Sequence, residues 1–398
     1  MNEDLDRARI FPDLEARSYW SFAAISPLSA PAKSAIDRWH ETLGRQGLAG
    51  FGLAVQARDE LRRELAGLLG GDERDYALTQ GTTAGIVSVA RSLRWRAGDT
   101  LVLFGGEFPT NVLPWQQAAH DFGLEIELIE SAEFGHPEIG MSRLSSILKT
   151  KRVQLVALSA VEFQSGLAMP VRAIALAAHA AGALVSVDAI QAAGVMPLDL
   201  VEVGADFAYG GGHKWLLGVD GAGWVYASEQ GKAALGPAMV GWLSVERAID
   251  FLFEADQLGQ ARATLSQPRV LESGSTSSAA TFALLEGVRL CRRAEPAKTL
   301  AWVQSLHDLV EGRLIELGFV SQRGARVETR SGILSLLPPA GVSLRALQSA
   351  LMRRGVTLTI PDGRLRLAPH FCSRPAEGEL IVEVMAECLA ECLTESRG

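Results

Sequence analysis

Residues 184–194, LVSVDAIQAAG, and residues 204–227, GADFAYGGGHKWLLGVDGAGWVYA, decide the fold and the chemistry. The first predicts a buried strand ending at Asp188, and the carboxyl ends of buried strands are where open α/β sheets bind ligands. Gln191 follows about one helical turn later. Lys214 lies in a glycine-rich, apolar run, where desolvation lowers the pKa of an amine. The neutral amine is the form that forms an imine with an aldehyde.

Each of these residues also has an ordinary structural interpretation. A lysine after Gly-His is usually a surface residue in a loop, and an aspartate at a strand end usually caps a helix. Asp188 and Gln191 are followed in one segment by His213 and Lys214, and this combination favours the functional interpretation.

These two stretches resemble the class V aminotransferase family of fold-type I pyridoxal phosphate enzymes. That family includes cysteine desulfurases, isopenicillin N epimerase-like proteins and kynureninase. The resemblance implies an α/β fold with a large domain around a mainly parallel seven-stranded sheet, and a smaller C-terminal α+β domain. We expect the large domain at residues 20–280 and the small domain at residues 1–19 and 281–398. The apolar runs predict strands at Tyr76–Thr79, Leu101–Phe104, Ile126–Ile129, Val153–Leu158, Leu184–Val187, Phe207–Tyr209 and Gly223–Ala227.

The resemblance implies that pyridoxal 5′-phosphate is the cofactor and is held by Lys214 as a Schiff base. Asp188 is then expected at the ring nitrogen, Gln191 at the phenolic oxygen and Phe108 over the ring. The segment TQGTTAGI, residues 79–86, opens a predicted helix whose N-terminus favours phosphate. The implied phosphate ligands are Thr82, Thr83, His213 and, across a homodimer with shared active sites, Ser275. A plain threonine N-cap and a serine in a polar turn are the alternatives for these positions.

We expect an arginine to bind the substrate. RLRLAPHF, residues 364–371, resembles the family segment that binds the α-carboxylate of an amino acid, with Arg366 as the candidate. A guanidinium suits this role because its planar fork matches a carboxylate. Arg364 on the same strand face is the rival, and a surface arginine pair is the structural alternative. Further predicted pocket residues are Asn111, Trp115 and Trp242.

Several departures from the family pattern reduce the number of candidate reactions. Cysteine desulfurases carry a nucleophilic cysteine on a loop before the arginine strand, whereas TLTIPDGRLR, residues 357–366, has none. Cys372 follows Arg366 and is interpreted as structural. Gly211 stands where relatives often have a phosphate-binding serine or threonine, and Phe163 where desulfurases tend to have asparagine. We therefore predict an aminotransferase or an epimerase-like enzyme acting on a small amino acid. A C–S lyase and a non-catalytic relative are the alternatives.

Composition agrees with a globular enzyme and excludes some other classes. The 398 residues are 48% hydrophobic with a net charge of −8, which does not fit a nucleic-acid binder. The four cysteines lack metal-site spacing, so free buried thiols and no metal are expected. The charged N-terminus and the short apolar runs predict a cytoplasmic protein without a membrane span.

Overall fold

A computed structural model of the chain describes residues 5–236, 239–252, 254–258, 262–266 and 268–395. The helices are α1 Arg7–Ile10, α2 Ala30–Gln46, α3 Phe51–Leu69, α4 Thr82–Ser92, α5 Leu113–Phe122, α6 Pro137–Thr150, α7 Val171–Ala180, α8 Glu229–Ala234, α9 Ser278–Ala294, α10 Pro296–Glu316, α11 Leu344–Arg353 and α12 Pro375–Glu395. None of the helices in these ranges is both long and apolar enough to cross a membrane.

The strands are β1 Ser18–Tyr19, β2 Tyr76–Thr79, β3 Thr100–Gly105, β4 Glu125–Glu130, β5 Val153–Ser159, β6 Leu184–Asp188, β7 Phe207–Gly211, β8 Gly223–Ala227, β9 Val320–Ser321, β10 Leu334–Leu337, β11 Val356–Thr357 and β12 Leu365–Leu367. The main sheet has seven strands in the order β2-β8-β7-β6-β5-β3-β4. In this sheet β8 runs antiparallel to β2 and β7 on its two sides, and the other neighbouring strands pair in parallel. The predicted α/β fold with a mainly parallel sheet is confirmed.

The apolar runs become strands because both faces of the sheet are covered. Along β3, Val102 and Phe104 belong to one hydrophobic core, whereas Leu101 and Leu103 belong to another on the opposite face. Successive side chains of a strand point to opposite faces, so a strand covered twice must be apolar throughout. Burial of each such side chain contributes roughly 1.5–3 kcal/mol.

The strand directions gather several chain segments at one edge of the sheet. β3, β5, β6 and β7 run parallel, so their carboxyl ends lie together. β2 is antiparallel to β8, which is antiparallel to β7, so the carboxyl end of β2 lies at the same edge. Residues that follow these strands therefore meet although they are far apart in sequence.

The small domain has a hydrophobic core of its own. Leu306, Val310 and Phe319 pack with residues of β10, β12 and α12 in a core that also holds Trp20. The buried face of α9 instead packs into the core of the large domain, through residues that include Leu284 and Val288. Helix α9 therefore packs with the large domain, and the division near residue 280 stays a prediction.

Candidate active site

A cavity of about 820 Å³ lies at the carboxyl edge of the main sheet. It is lined by residues from the ends of the strands, from the start of α4 and from the small domain. The predicted site residues that it brings together are Thr82, Thr83, Phe108, Asp188, Gln191, His213, Lys214 and Arg366.

A tight loop between β7 and β8 positions Lys214. The N–H of Gly212 donates to the carbonyl of Ala222, and the N–H of Gly218 donates to the carbonyl of Gly212, both at 2.9 Å. Leu217 has a φ of 55°, in the left-handed region that costs roughly 1–2 kcal/mol for a residue with a Cβ. Its N–H donates to the carbonyl of Lys214 at 3.0 Å. Such backbone strain persists where the surroundings fix the conformation, and it is common at functional sites.

The Lys214 amine is poised to be neutral. Burial lowers its pKa to about 8; the charge of Arg366 lowers it further, and Asp188 opposes the shift. Nζ lies 5.7 Å from the centroid of the Phe108 ring. Nζ forms no hydrogen bond or ion pair with any residue in the described ranges. The amine therefore keeps its lone pair available at a pH near its pKa.

Asp188 supplies a carboxylate at the end of β6. The N–H of Ile190 donates to its Oδ1 at 2.9 Å, and none of the described residues donates to Oδ2. Burial raises the pKa of Asp188 to about 6, while the Ile190 N–H and the charge of Lys214 oppose that shift. A buried carboxylate is stabilised by an opposite charge, and a cationic ring nitrogen at Oδ2 would supply that charge.

The start of α4 can accept an anion. Gly81 is the N-cap and offers no side chain, and the buried Oγ1 of Thr82 has no hydrogen-bond partner. The first N–H groups of a helix lack intrahelical acceptors and carry partial positive charge. Thr83 shares a hydrogen bond of 2.8 Å with Thr110. A phosphate group would satisfy the Thr82 hydroxyl and these N–H groups together.

His213 and Gln191 line the same cavity as Lys214. Burial lowers the pKa of His213, as does the charge of Lys214, and Asp220 opposes the shift from 3.4 Å away. The Gln191 amide donates to the carbonyl of Ala23 at 3.1 Å and accepts from Trp215 Nε1 at 2.9 Å. One amide hydrogen of Gln191 is left to bond a phenolic oxygen, since an amide nitrogen carries two.

Arg366 is the arginine that reaches the cavity. Its Nε donates to Thr359 Oγ1 at 3.2 Å and its Nη1 to the carbonyl of Phe163 at 3.1 Å. Burial lowers the pKa of Arg366 to about 10, and Glu162 opposes the shift. Arg364, the rival, is bound to Asp362 at 3.0 Å and does not line the cavity. The free side of the Arg366 guanidinium is therefore the carboxylate site that this geometry offers.

Other predicted residues lie elsewhere. Asn111 and Trp115 are buried and hydrogen-bonded to each other at 3.2 Å, so neither lines the cavity. Ser275 and Trp242 line a second cavity of about 290 Å³, beside Arg58 and Glu272.

The cysteines described do not reach the cavity. Cys291, Cys372 and Cys388 are buried and form no disulfide, and burial raises the pKa of the Cys372 thiol. The side chain of Cys392 lies outside the described part of the chain.

Two polar residues at the cavity escaped the sequence analysis. Ser159 ends β5 and lines the cavity, and Glu107 follows β3 and binds Ser159 from beneath. The signal for Ser159 was its place at the carboxyl end of a predicted parallel strand, which is also the place of Asp188. Glu107 directly precedes Phe108, but nothing local shows that its side chain turns inward.

The model of the family described as "Aminotransferase class-V" matches residues 38–376. The chain belongs to this family. Class V aminotransferases depend on pyridoxal phosphate, and this chain is accordingly a pyridoxal phosphate-dependent enzyme of the aminotransferase type. Lys214, Asp188 and the Thr82 hydroxyl together fit that cofactor. The family resemblance predicted from the two quoted stretches is confirmed.

Relatives of this class V chain carry different names. An uncharacterized aminotransferase of Bacillus subtilis is 24% identical over 95% of this chain and 96% of its own length. A probable cysteine desulfurase of Methanothermobacter thermautotrophicus is 31% identical, but the match spans only 59% of each chain. The apo structure of a cysteine desulfurase from Thermococcus onnurineus NA1 superposes with a TM-score of 0.85, 23% identity and 98% coverage of both chains. The last similarity establishes the shared fold.

Proposed function

We propose that this class V enzyme attaches pyridoxal phosphate to Lys214 and acts at the Cα of a small α-amino acid, with transamination as its reaction. The observation that carries the proposal is that three chemically suited groups line the same cavity. These are an amine of lowered pKa at Lys214, a buried carboxylate at Asp188 and a guanidinium at Arg366. The full-length similarity to a protein named an aminotransferase supports the same reaction.

The residues of the chain have separate tasks in this proposal. When bound, the cofactor ring withdraws the electron pair left at Cα after proton removal. Asp188 binds the ring nitrogen and holds its proton there. Arg366 binds the substrate carboxylate and thereby fixes the direction of the Cα–H bond. The Lys214 amine would act as the general base that removes the Cα proton. Phe108 covers the ring and excludes water from that side.

The α4 N-terminus, the Thr82 and Thr83 hydroxyls and His213 are proposed to hold the phosphate. Ser275 is proposed to reach the phosphate of a second copy of the chain, because it lies on the surface beside Trp242 and away from its own cavity. Leu48 and Phe51 near this surface are 87% and 41% exposed, which supports burial by a homodimer. Sedimentation of purified protein tests this, and a monomer at micromolar concentration would count against shared sites.

A C–S lyase is the second candidate, because one relative is named a probable cysteine desulfurase. This reaction would also begin with removal of the Cα proton, but a sulfur group would then leave the substrate. Racemisation at Cα is a third fate that the same Lys214 chemistry permits. None of the cysteines with described side chains lines the cavity, so a desulfurase that passes sulfur to its own cavity cysteine is disfavoured.

A panel of amino acids, each incubated with the holoenzyme, separates these reactions by product. We expect an oxo acid and a cofactor converted to its amine form, which a second oxo acid restores. Sulfide and alanine from cysteine would instead establish C–S cleavage, and an inverted Cα without oxo acid would establish epimerisation. If no amino acid changed the absorption spectrum of the bound cofactor, the proposed substrate class would be contradicted.

Arg366→Ala should raise the KM for amino acids roughly 30- to 900-fold, which corresponds to a loss of roughly 2–4 kcal/mol of carboxylate binding. Steady-state kinetics on the best substrate of the panel measures this change. Arg364→Ala is the matched control on the neighbouring strand position and should leave KM within about twofold. A large KM effect at Arg364 together with an unchanged KM for Arg366→Ala would transfer the role to Arg364.

A further inference from the structure

Glu107 is hydrogen-bonded to a residue that lines the cavity, but does not line the cavity itself. Its Oε1 accepts a hydrogen bond from the Ser159 N–H at 2.6 Å, and its Oε2 is hydrogen-bonded to the Ser159 hydroxyl. Ser159 lines the cavity and is paired across the sheet with Asp188. Glu107 therefore contacts the cavity through one intermediate residue, on the side where Asp188 lies.

Two carboxyl groups thus lie close enough to influence each other, that of the buried Asp188 and that of Glu107, whose residue is partly exposed. Burial raises the pKa of Glu107 to about 7; its two hydrogen bonds with Ser159 oppose the shift, and the negative charge of Asp188 adds to it. No cation is ion-paired with Glu107 among the described residues. The charge of Lys214 lowers the pKa of Asp188 but is not among the causes that shift the pKa of Glu107. Asp188 is therefore the better placed of the two carboxyls to remain ionised.

The protonation state of Glu107 decides how the Ser159 hydroxyl can act. An ionised carboxylate only accepts hydrogen bonds, so the Ser159 hydroxyl would have to donate its hydrogen to Glu107. A protonated Glu107 still accepts from the Ser159 N–H through Oε1, while its own O–H donates to the Ser159 oxygen. The Ser159 hydrogen is then free to point into the cavity, toward the edge where Asp188 ends its strand.

We propose that Glu107 is a positioning residue that works as the neutral acid: it turns the Ser159 hydroxyl into a donor at the cavity and leaves Asp188 as the single carboxylate there. The proposal rests on the proposed function insofar as Asp188 faces the cofactor ring. Its first half, the neutral Glu107, concerns the protein alone.

Two substitutions separate this role from simple packing. Glu107→Gln reproduces the neutral acid, because Oε1 accepts from the Ser159 N–H and Nε2 donates to the Ser159 oxygen. Glu107→Ala leaves the buried Ser159 N–H without an acceptor and removes the donor. Glu130→Gln, on the exposed side of neighbouring β4, is the control for loss of one carboxylate.

The first measurement is the melting temperature of the apoprotein against pH. A carboxyl whose pKa is raised on folding contributes stability below its unfolded value of 4.5, and this contribution is lost as the pH rises through about 7. Glu107→Gln cannot ionise and does not lose this contribution. Its melting temperature should therefore rise relative to that of the wild type between pH 4.5 and about 7. Glu130→Gln should show no such gain. A constant difference between wild type and Glu107→Gln would mean that Glu107 is ionised in the fold, and would overturn the proposal.

The second measurement is the visible absorption of the holoenzyme against pH. We expect wild type to show a spectral transition near pH 7 that Glu107→Gln lacks, and kcat of Glu107→Gln to lie well above that of Glu107→Ala. An identical transition in both proteins would overturn the coupling of Glu107 to the cofactor. If borohydride fails to fix the cofactor to Lys214, the proposed function fails instead, and the melting experiment still decides the charge of Glu107.

Discussion

Lys214→Ala should lower kcat by about 10³-fold or more while the protein stays folded. The substitution removes the amine that attaches the cofactor and also the base for the Cα proton, and the second role alone is worth roughly 10²- to 10⁴-fold. The melting temperature should stay the same or rise, because the Lys214 ammonium is buried without a described hydrogen bond. Steady-state kinetics and a thermal melt on the same preparation measure both effects.

The covalent attachment gives a second readout for Lys214. Borohydride reduction of wild-type holoenzyme, followed by proteolysis and mass spectrometry, should locate the cofactor on the peptide that contains Lys214. Lys298→Ala is the control, since that side chain is 73% exposed and pairs with Glu295 on the surface. Sustained multiple turnover by Lys214→Ala, or a label on another lysine, would refute the assignment of Lys214.

The core of the site was predictable because its chemistry is local in sequence. Asp188 and Gln191 lie at the end of one strand, and His213 and Lys214 lie in one glycine-rich loop. Apolar runs without alternation placed the strands to within two residues, because strands covered on both faces carry a strong hydrophobic signal. The carboxyl edge of the sheet then brings these two segments together.

The remaining contacts depend on side-chain direction and on distant pairs. Phe108 lines the cavity, whereas Asn111, three residues later in the same turn, points inward to Trp115. The hydrogen bonds between Glu107 and Ser159 join residues 52 positions apart. A sequence pattern reports burial and period, but neither quantity shows which way a turn residue faces. The packing of α9 in the core of the large domain is another example, because an amphipathic helix can pack on either of two adjacent cores.

The three charged groups of the cavity influence one another in a way that suits the proposed chemistry. Arg366 and burial both lower the pKa of Lys214, so substrate-binding and amine-activating charges reinforce each other. Asp188 opposes the shift of Lys214, and Lys214 in turn opposes the raised pKa of Asp188. Removing any one charge therefore alters the protonation of the others, and single substitutions at this site are expected to be non-additive.

Asp188→Asn should reduce kcat by about 10²- to 10³-fold, the range for the loss of one preorganised electrostatic contact. Asparagine preserves the shape and can still accept the Ile190 N–H through its oxygen, so the substitution removes mainly the charge. Without that charge the ring nitrogen loses its proton and withdraws electrons from Cα less strongly.

The Cα proton provides the test that isolates this effect. Exchange of the Cα hydrogen of bound substrate with deuterated solvent should slow in Asp188→Asn in proportion to kcat, while the KM set by Arg366 stays within a few-fold. Asp37→Asn, which alters a carboxylate with a side chain 60% exposed on α2, should change neither quantity. Proton exchange at the wild-type rate in Asp188→Asn would show that the ring does not depend on this carboxylate, because a neutral ring nitrogen cannot stabilise the Cα electron pair to the same extent.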